Sequence, residues 1–165
     1  MTEHAQPVSV SRSIAALPTA IFAVLADPAR HRDMDGSGML RGTPCSGPVT
    51  GVGDVFVMKM HYGPLGDYEM NNHVVAYETD SRIAWQPVCG RGHPDVGTAT
   101  ARWGHTWSFA LHPDGPGTTT VTETWDCFDA AEDEDGTQWI PSMTATLARL
   151  EELCLDPAAG RGVAP

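Results

Sequence analysis

The stretch from Arg102 to Cys127 reads RWGHTWSFALHPDGPGTTTVTETWDC, and it decides the fold because it predicts two strands that fold back on each other. Large side chains fall on alternate positions over 103–111, and a second alternating set occupies 119–127. A period of two places each set on one face of a strand. The segment 112–117, HPDGPG, is rich in residues that favour turns. We therefore expect an antiparallel hairpin.

One face of this hairpin combines aromatic and ionisable side chains. The face consists of Trp103, His105, Trp107, Phe109, Glu123 and Trp125. Tryptophan is amphipathic and needs a partner for its N–H, so a face with three tryptophans, a histidine and a glutamate exceeds what an ordinary core takes. We expect the rest of the chain to cover this face, and its rings to stack on a planar molecule or simply to form core.

His105 and Glu123 are the first candidates for chemistry. If the turn centres near 114–115, facing positions sum to about 230, which makes these two residues diagonal neighbours on paired strands. A carboxylate bonded to an imidazole in an apolar cleft orients the ring and raises its basicity, as proton transfer requires. The alternative, which we favour, is a satisfied buried polar pair or a hydrogen bond that orients a ligand.

Composition narrows the class of protein and of partner. The chain has 165 residues, 41% hydrophobic and 19% charged residues, and a net charge of −11. These values fit one domain, and the charge disfavours nucleic acid and anionic membranes as partners. The start of the sequence has no basic region followed by an apolar one, and no apolar run is long enough to span a membrane, so we expect a cytoplasmic protein. The oligomeric state stays open, with a homodimer as one option.

The remaining elements follow from periodicity and from turn residues. A strand is expected over 8–14 and two short helices over 18–27 and 29–34. An edge strand over 45–49, strands over 54–62, 68–77 and 82–87, and a long amphipathic helix over 139–153 complete the set. Residues 1–7 and 156–165 are expected to be flexible termini of a single domain over 8–155.

Metal and cofactor sites are not expected. His61, His73 and His105 could in principle bind zinc, but strand alternation turns the first two away from the inward set. The four cysteines form no CxxC pair, and no glycine-rich phosphate loop is present. The acidic segment 126–135 lacks the spacing of a calcium loop and is expected to be a solvated loop that precedes the last helix.

The order of elements resembles the helix-grip fold of the START-like (SRPBCC) superfamily, the polyketide cyclase/dehydratase and lipid transport type. The phrases that carry the resemblance are AVLADP at 23–28, VVAY at 74–77, RIAW at 82–85, GTTTVTET at 117–124 and LARL at 147–150. The resemblance implies an α+β domain in which a curved antiparallel sheet of six to seven strands wraps around the long C-terminal helix and encloses a cavity. It implies no activity, because function inferred from a shared fold is analogy.

Pockets of this kind are mostly apolar with a few convergent polar groups. The expected lining is Phe56, Met58, Met60, Asn72, Trp85, Trp103, Trp107, Phe109, Trp125, Met143 and Leu147. Three functions stay open: a carrier or sensor of a small hydrophobic, aromatic or polycyclic molecule, without a cofactor; a cyclase or dehydratase that uses His105 and Glu123 with Tyr62 as an auxiliary acid; and a protein-interaction module whose cavity is vestigial. The first is preferred.

Overall fold

The computed structural model describes residues 6–102, 104–128 and 135–155. Its strands are β1 (Val8–Ile14), β2 (Leu40–Gly42), β3 (Val55–Tyr62), β4 (Gly66–Glu78), β5 (Arg82–Cys89), β6 (His105–Gly115) and β7 (Thr118–Cys127). Its helices are α1 (Pro18–Leu25), α2 (Pro28–Met34) and α3 (Ile140–Leu155), the last preceded by a 3₁₀ turn over Gly136–Trp139. The seven strands form one curved antiparallel sheet in the order β1-β7-β6-β5-β4-β3-β2, and the α+β helix-grip prediction is confirmed.

The two short helices begin where the sequence places their start signals. Pro18 and Pro28 each occupy the first turn of a helix, where the missing N–H costs nothing. The carboxylate of Asp27 caps α2 by accepting the amide N–H of Ala29 at 3.1 Å. The helices therefore follow β1 as predicted and lie over the inner face of the sheet.

The predicted edge strand over 45–49 is wrong, because β2 lies earlier and pairs Leu40 with Met60. Beyond β2, the backbone of β3 at Val57 forms hydrogen bonds with side chains and not with a neighbouring strand. The Thr43 hydroxyl donates to the carbonyl of Val57 at 2.5 Å, and Cys45 Sγ accepts the Val57 N–H at 3.4 Å. Prolines at 44 and 48 have no N–H to offer a ladder, which explains why the backbone does not pair here.

Helix α3 covers the inner face of the sheet with its apolar stripe. Met143, Leu147 and Leu150 are at most 1% exposed. The chain after α2 crosses this helix at Gly36, where a Cβ would lie 2.2 Å from the carbonyl oxygen of Ser142. Only glycine permits so close an approach of two backbones. The contact fixes the end of α2 against α3.

Candidate functional site

The register of the β6–β7 hairpin decides which side chains of its inner face meet. Trp107 lies opposite Trp125, Phe109 opposite Glu123, and His105 opposite Cys127. Facing positions sum to 232, because the tip of the hairpin is at 116–117 and not at 114–115. The inward parity of every residue is kept, since the shift is an even number of positions.

The predicted diagonal contact between His105 and Glu123 is therefore wrong. Glu123 pairs with Phe109, which lies four residues from His105 along β6, a distance of roughly 13 Å. The His105 ring instead packs near Trp107, at a centroid distance of 6.2 Å, and near Trp125, at 5.7 Å. The structure gives no support to an imidazole–carboxylate pair for proton transfer.

Glu123 is the polar centre of the inner face. Its side chain is 5% exposed, and its backbone lies between Val10 of β1 and Phe109 of β6. Its Oε2 atom is buried and has no hydrogen-bond partner among the described residues. Burial, and after it the negative charge of Asp35, raise the Glu123 pKa to about 8. At neutral pH this group is mostly a neutral acid, which can donate one hydrogen bond as well as accept others.

Asp35 is brought to this place by the turn that follows α2. Its carboxylate accepts the amide of Ser37 at 2.9 Å, the hydroxyl of Ser37 at 2.7 Å and the amide of Leu40 at 3.1 Å. Arg149 of α3 donates to the Asp35 carbonyl, and the Gly36 amide donates to Thr146 Oγ1 at 3.0 Å. These bonds join the turn to α3 and hold a negative charge near Glu123.

A tryptophan cluster continues the inner face beyond Glu123. Trp125 is fully buried, and Trp107 meets Trp139 edge to face at a centroid distance of 5.7 Å. The indole N–H groups of Trp125 and Trp139 are buried without a hydrogen-bond partner in the described part of the chain. Buried polar atoms are normally paired, so each of these two N–H donors, like Glu123 Oε2, is an atom that a polar ligand atom or water would bind.

Helix α2 contributes a residue that the sequence pattern did not single out. The His31 ring stacks on Trp85 at 5.1 Å and meets Phe56 edge to face at 5.3 Å. Its Nε2–H donates to the carbonyl of Leu25 at 2.8 Å, and burial lowers the His31 pKa. The spacing of His31 and Met34 on one side of α2 is the signal that would have identified it, because residues three apart share a helix face.

Most of the predicted lining faces inward, and much of it packs against itself. Buried members are Phe56, Met58, Asn72, Trp85, Phe109, Trp125, Met143 and Leu147, while Met60 and Trp107 are half-buried. Trp103 lies outside the described residues. Tyr62, expected to serve as an auxiliary acid in the cavity, ends β3 and is 48% exposed. An auxiliary acid at Tyr62 therefore has no place among the inward residues.

The outer face of the sheet carries a separate groove of about 470 Å³. Short side chains form most of its floor: Ala76, Ala84, Thr106, Ser108, Ala110 and Thr124. Arg82 and Asp126 also line it. The outer face therefore offers a groove lined mostly by small side chains, in contrast to the aromatic inner face.

Sequence comparison finds an uncharacterized relative of this chain. No family model matches the sequence. The uncharacterized protein Rv0088 of Mycobacterium tuberculosis is 32% identical over 160 residues, which are 90% of this chain and 65% of that protein. The chain thus spans slightly less than two thirds of the length of this relative.

Solved structures share the architecture at low sequence identity. The Aha1 dimer from Colwellia psychrerythraea is 18% identical with a TM-score of 0.60, covering 95% of this chain and 99% of that one. Ginseng major latex-like protein 151 from Panax ginseng is 11% identical with a TM-score of 0.62, covering 93% and 100%. Such likenesses show the fold alone. No helix within 6–102, 104–128 and 135–155 is long and apolar enough to cross a membrane.

Proposed function

Starting from the START-like helix-grip fold, we propose that this protein binds a small hydrophobic, aromatic molecule between the inner face of the sheet and α3. The observation that carries the proposal is the buried Oε2 of Glu123, which has no partner among the described residues, together with the similarly unpaired N–H groups of Trp125 and Trp139. An unmade buried hydrogen bond costs about 1–3 kcal/mol. A ligand that supplies acceptors and donors here recovers part of this cost.

The chemistry of the site defines the ligand class. Aromatic rings supply faces for stacking, and the tryptophan N–H groups supply donors for an acceptor atom. The neutral Glu123 carboxyl donates to a carbonyl or ether oxygen without placing a charge in the interior. A planar molecule with one or two oxygen acceptors therefore fits better than a pure hydrocarbon or an anion, since an anion would meet Asp35 and the −11 net charge of the chain.

Acid–base chemistry is the second candidate function, and one observation favours it. A carboxyl group whose pKa is about 8 exchanges its proton near neutral pH, as a general acid or base does. Glu123 would act in this case without His105, because the two side chains lie far apart along the hairpin. Dehydration or ring closure of a carbonyl compound is the reaction class that such an acid serves.

The test uses matched probes that differ in one acceptor. Fluorenone and fluorene have the same ring system, and only fluorenone carries a carbonyl oxygen. We expect quenching of tryptophan fluorescence to show tighter binding of fluorenone by about five-fold, the value of one hydrogen bond of about 1 kcal/mol. Glu123→Leu should abolish this preference, whereas Glu78→Leu, on the exposed end of β4, should keep it.

Two further results distinguish the candidates. Native mass spectrometry of freshly purified protein should show a co-purifying small molecule under the carrier function. Recovery of that molecule unchanged after incubation supports binding alone, and its conversion by the wild type but not by Glu123→Gln supports catalysis. Absence of any bound molecule, together with equal affinity for fluorenone and fluorene, would reject the proposal.

A further inference from the structure

A second group of chemically versatile side chains lies where β5 ends. Cys89, His93 and Asp95 each place one potential ligand atom within 4.8 Å of those of the other two. Cys89 and His93 are 3% and 5% exposed, and Asp95 is half-buried. Cys89 belongs to a small cluster with Tyr68 and Met70, separate from the larger core around Trp85.

The chain builds this group by holding the loop after β5 against β4. The Gly90 amide donates to the Glu69 carbonyl at 2.9 Å, and the Glu69 amide donates to the Arg91 carbonyl at 2.8 Å. A Cβ on Gly92, whose φ is +83°, would lie 3.0 Å from the carbonyl oxygen of Asp67. Glycine is required both for this approach and for the left-handed backbone. The loop is therefore fixed in place and turns His93 back toward Cys89.

The His93 ring is positioned from both sides. It meets Tyr68 edge to face at a centroid distance of 5.3 Å. Its Nδ1 accepts the Asp95 amide N–H at 3.0 Å, so this nitrogen carries the lone pair in the arrangement observed. A metal bound at Nδ1 would replace that amide, whereas a metal bound at Nε2 would leave the hydrogen bond in place.

We propose that Cys89, His93 and Asp95 form a site for a divalent transition-metal ion of the zinc type. Thiolate, imidazole and carboxylate together are ligands that Zn²⁺ accepts, and three protein ligands leave a fourth position for water. Tetrahedral coordination at bond lengths of about 2.0–2.3 Å needs ligand atoms roughly 3.3–3.6 Å apart. The widest spacing, at most 4.8 Å, must therefore close by up to roughly 1.2–1.5 Å when the metal binds.

Charge favours a cation at this position. Binding releases the Cys89 thiol proton to solvent and leaves thiolate and carboxylate, two negative charges, around the metal. The chain as a whole carries −11, which also attracts cations. The spacing is Cys-x₃-His-x-Asp, which is not a pattern that predicts zinc from sequence, so the site exists only through the turn that brings the three residues together.

Cobalt tests the proposal because a thiolate–cobalt bond has its own absorption. The 165-residue chain, freed of metal with a chelator, is titrated with Co²⁺ and then with Zn²⁺. We expect one cobalt per chain, charge-transfer absorption from a thiolate ligand, intense tetrahedral d–d bands, and displacement of cobalt by zinc.

Variants identify the ligands. His93→Gln and Asp95→Asn each remove a direct ligand, so each should weaken cobalt binding by at least the roughly 10–100-fold that loss of an outer-shell partner costs, and Cys89→Ser should remove the thiolate band. Cys45→Ser and His73→Gln, which change a thiol and an imidazole elsewhere, should leave the titration unchanged. Circular dichroism checks that each variant folds. If Cys89→Ser does not fold, the cobalt affinity of His93→Gln tests the metal site.

Three results would overturn the proposal. These are weak binding of several cobalt ions without a thiolate band, equal binding by wild type and His93→Gln, and loss of the band in Cys45→Ser. Glu123→Leu should bind cobalt with the wild-type affinity, because the proposed metal site is separate from the proposed ligand site.

Discussion

The charge of Asp35, at the end of α2, acts on the buried carboxyl of Glu123 on β7 and, after burial, raises its pKa. The two residues are 88 positions apart in the chain, and only the crossing of the α2 end over α3 brings them near each other. Glu123 therefore stays protonated at neutral pH through its environment, which gives the inner face a neutral donor where an isolated glutamate would be an anion.

Removing the charge of Asp35 should lower the Glu123 pKa. We expect Asp35→Asn to shift the Glu123 titration below about 8, since the repulsion that disfavours its anion is lost while burial remains. Carbon NMR of the labelled glutamate carboxyl across a pH series measures this shift. Asp33→Asn, on the exposed side of α2, is the control. An unchanged Glu123 titration in Asp35→Asn would contradict the electrostatic coupling.

Glu123 should make stability depend on pH. The folded state keeps the Glu123 proton up to about pH 8, whereas the unfolded chain releases it near the ordinary value of 4.5. The folded state thus binds more protons between these values, and the free energy of unfolding falls as pH rises through that window. The free energy of unfolding of Glu123→Gln, relative to that of the wild type, should rise by a few kcal/mol as the pH goes from about 5 to about 8.

Urea denaturation at both ends of the window measures this gain. Glu78→Gln, which changes an exposed carboxyl, should follow the wild-type curve at every pH. A constant difference between Glu123→Gln and wild type across the window would show that Glu123 is ionised in the fold.

His31 should give the stability a pH dependence opposite in sign to that of Glu123. Burial lowers its pKa below 6.5, so the unfolded chain binds a proton that the folded state excludes, and stability is lost as pH falls below about 6.5. His31→Phe should remove this acid sensitivity while it keeps a ring beside Trp85. It should cost about 1 kcal/mol at neutral pH, because the hydrogen bond to the Leu25 carbonyl is lost.

The His31 measurement is best made in the Glu123→Gln background, which removes the opposing pH dependence. Exposed His112→Phe serves as the matched control. Acid sensitivity that persists in His31→Phe would assign it to another group.

Gly36→Ala should destabilise the fold by about 1–3 kcal/mol. The new methyl group would meet the Ser142 carbonyl oxygen at 2.2 Å and the Thr146 amide nitrogen at 2.7 Å, and both are backbone atoms that cannot rotate away. Thermal unfolding measures the loss. Gly51→Ala, which meets nothing within 4 Å, should change the melting temperature little, and equal effects of the two would contradict the close approach.

Strand faces and helices were predictable because their signals are local. Alternation assigns Trp107, Phe109, Glu123 and Trp125 to one face whatever the register, since strand geometry has a period of two. The register itself was not predictable, because the segment 112–117 holds two prolines and two glycines that permit more than one turn. The numbers of facing residues sum to 232 and not to the expected 230. This difference in register separated His105 from Glu123 and left both side chains buried.

The sequence by itself determined the order of strands and helices and placed aromatic side chains and a glutamate on one strand face, because hydrophobic periodicity and turn residues act over short stretches of chain. The helix-grip fold was expected from the family resemblance that this order carries. Tertiary structure alone decided that His31 stacks on Trp85, that Asp35 influences Glu123, and that Cys89, His93 and Asp95 converge. Each of these depends on how loops cross other elements, and close backbone approaches at Gly36 and Gly92 set those crossings. Their energies come from packing between distant segments, which no local pattern encodes.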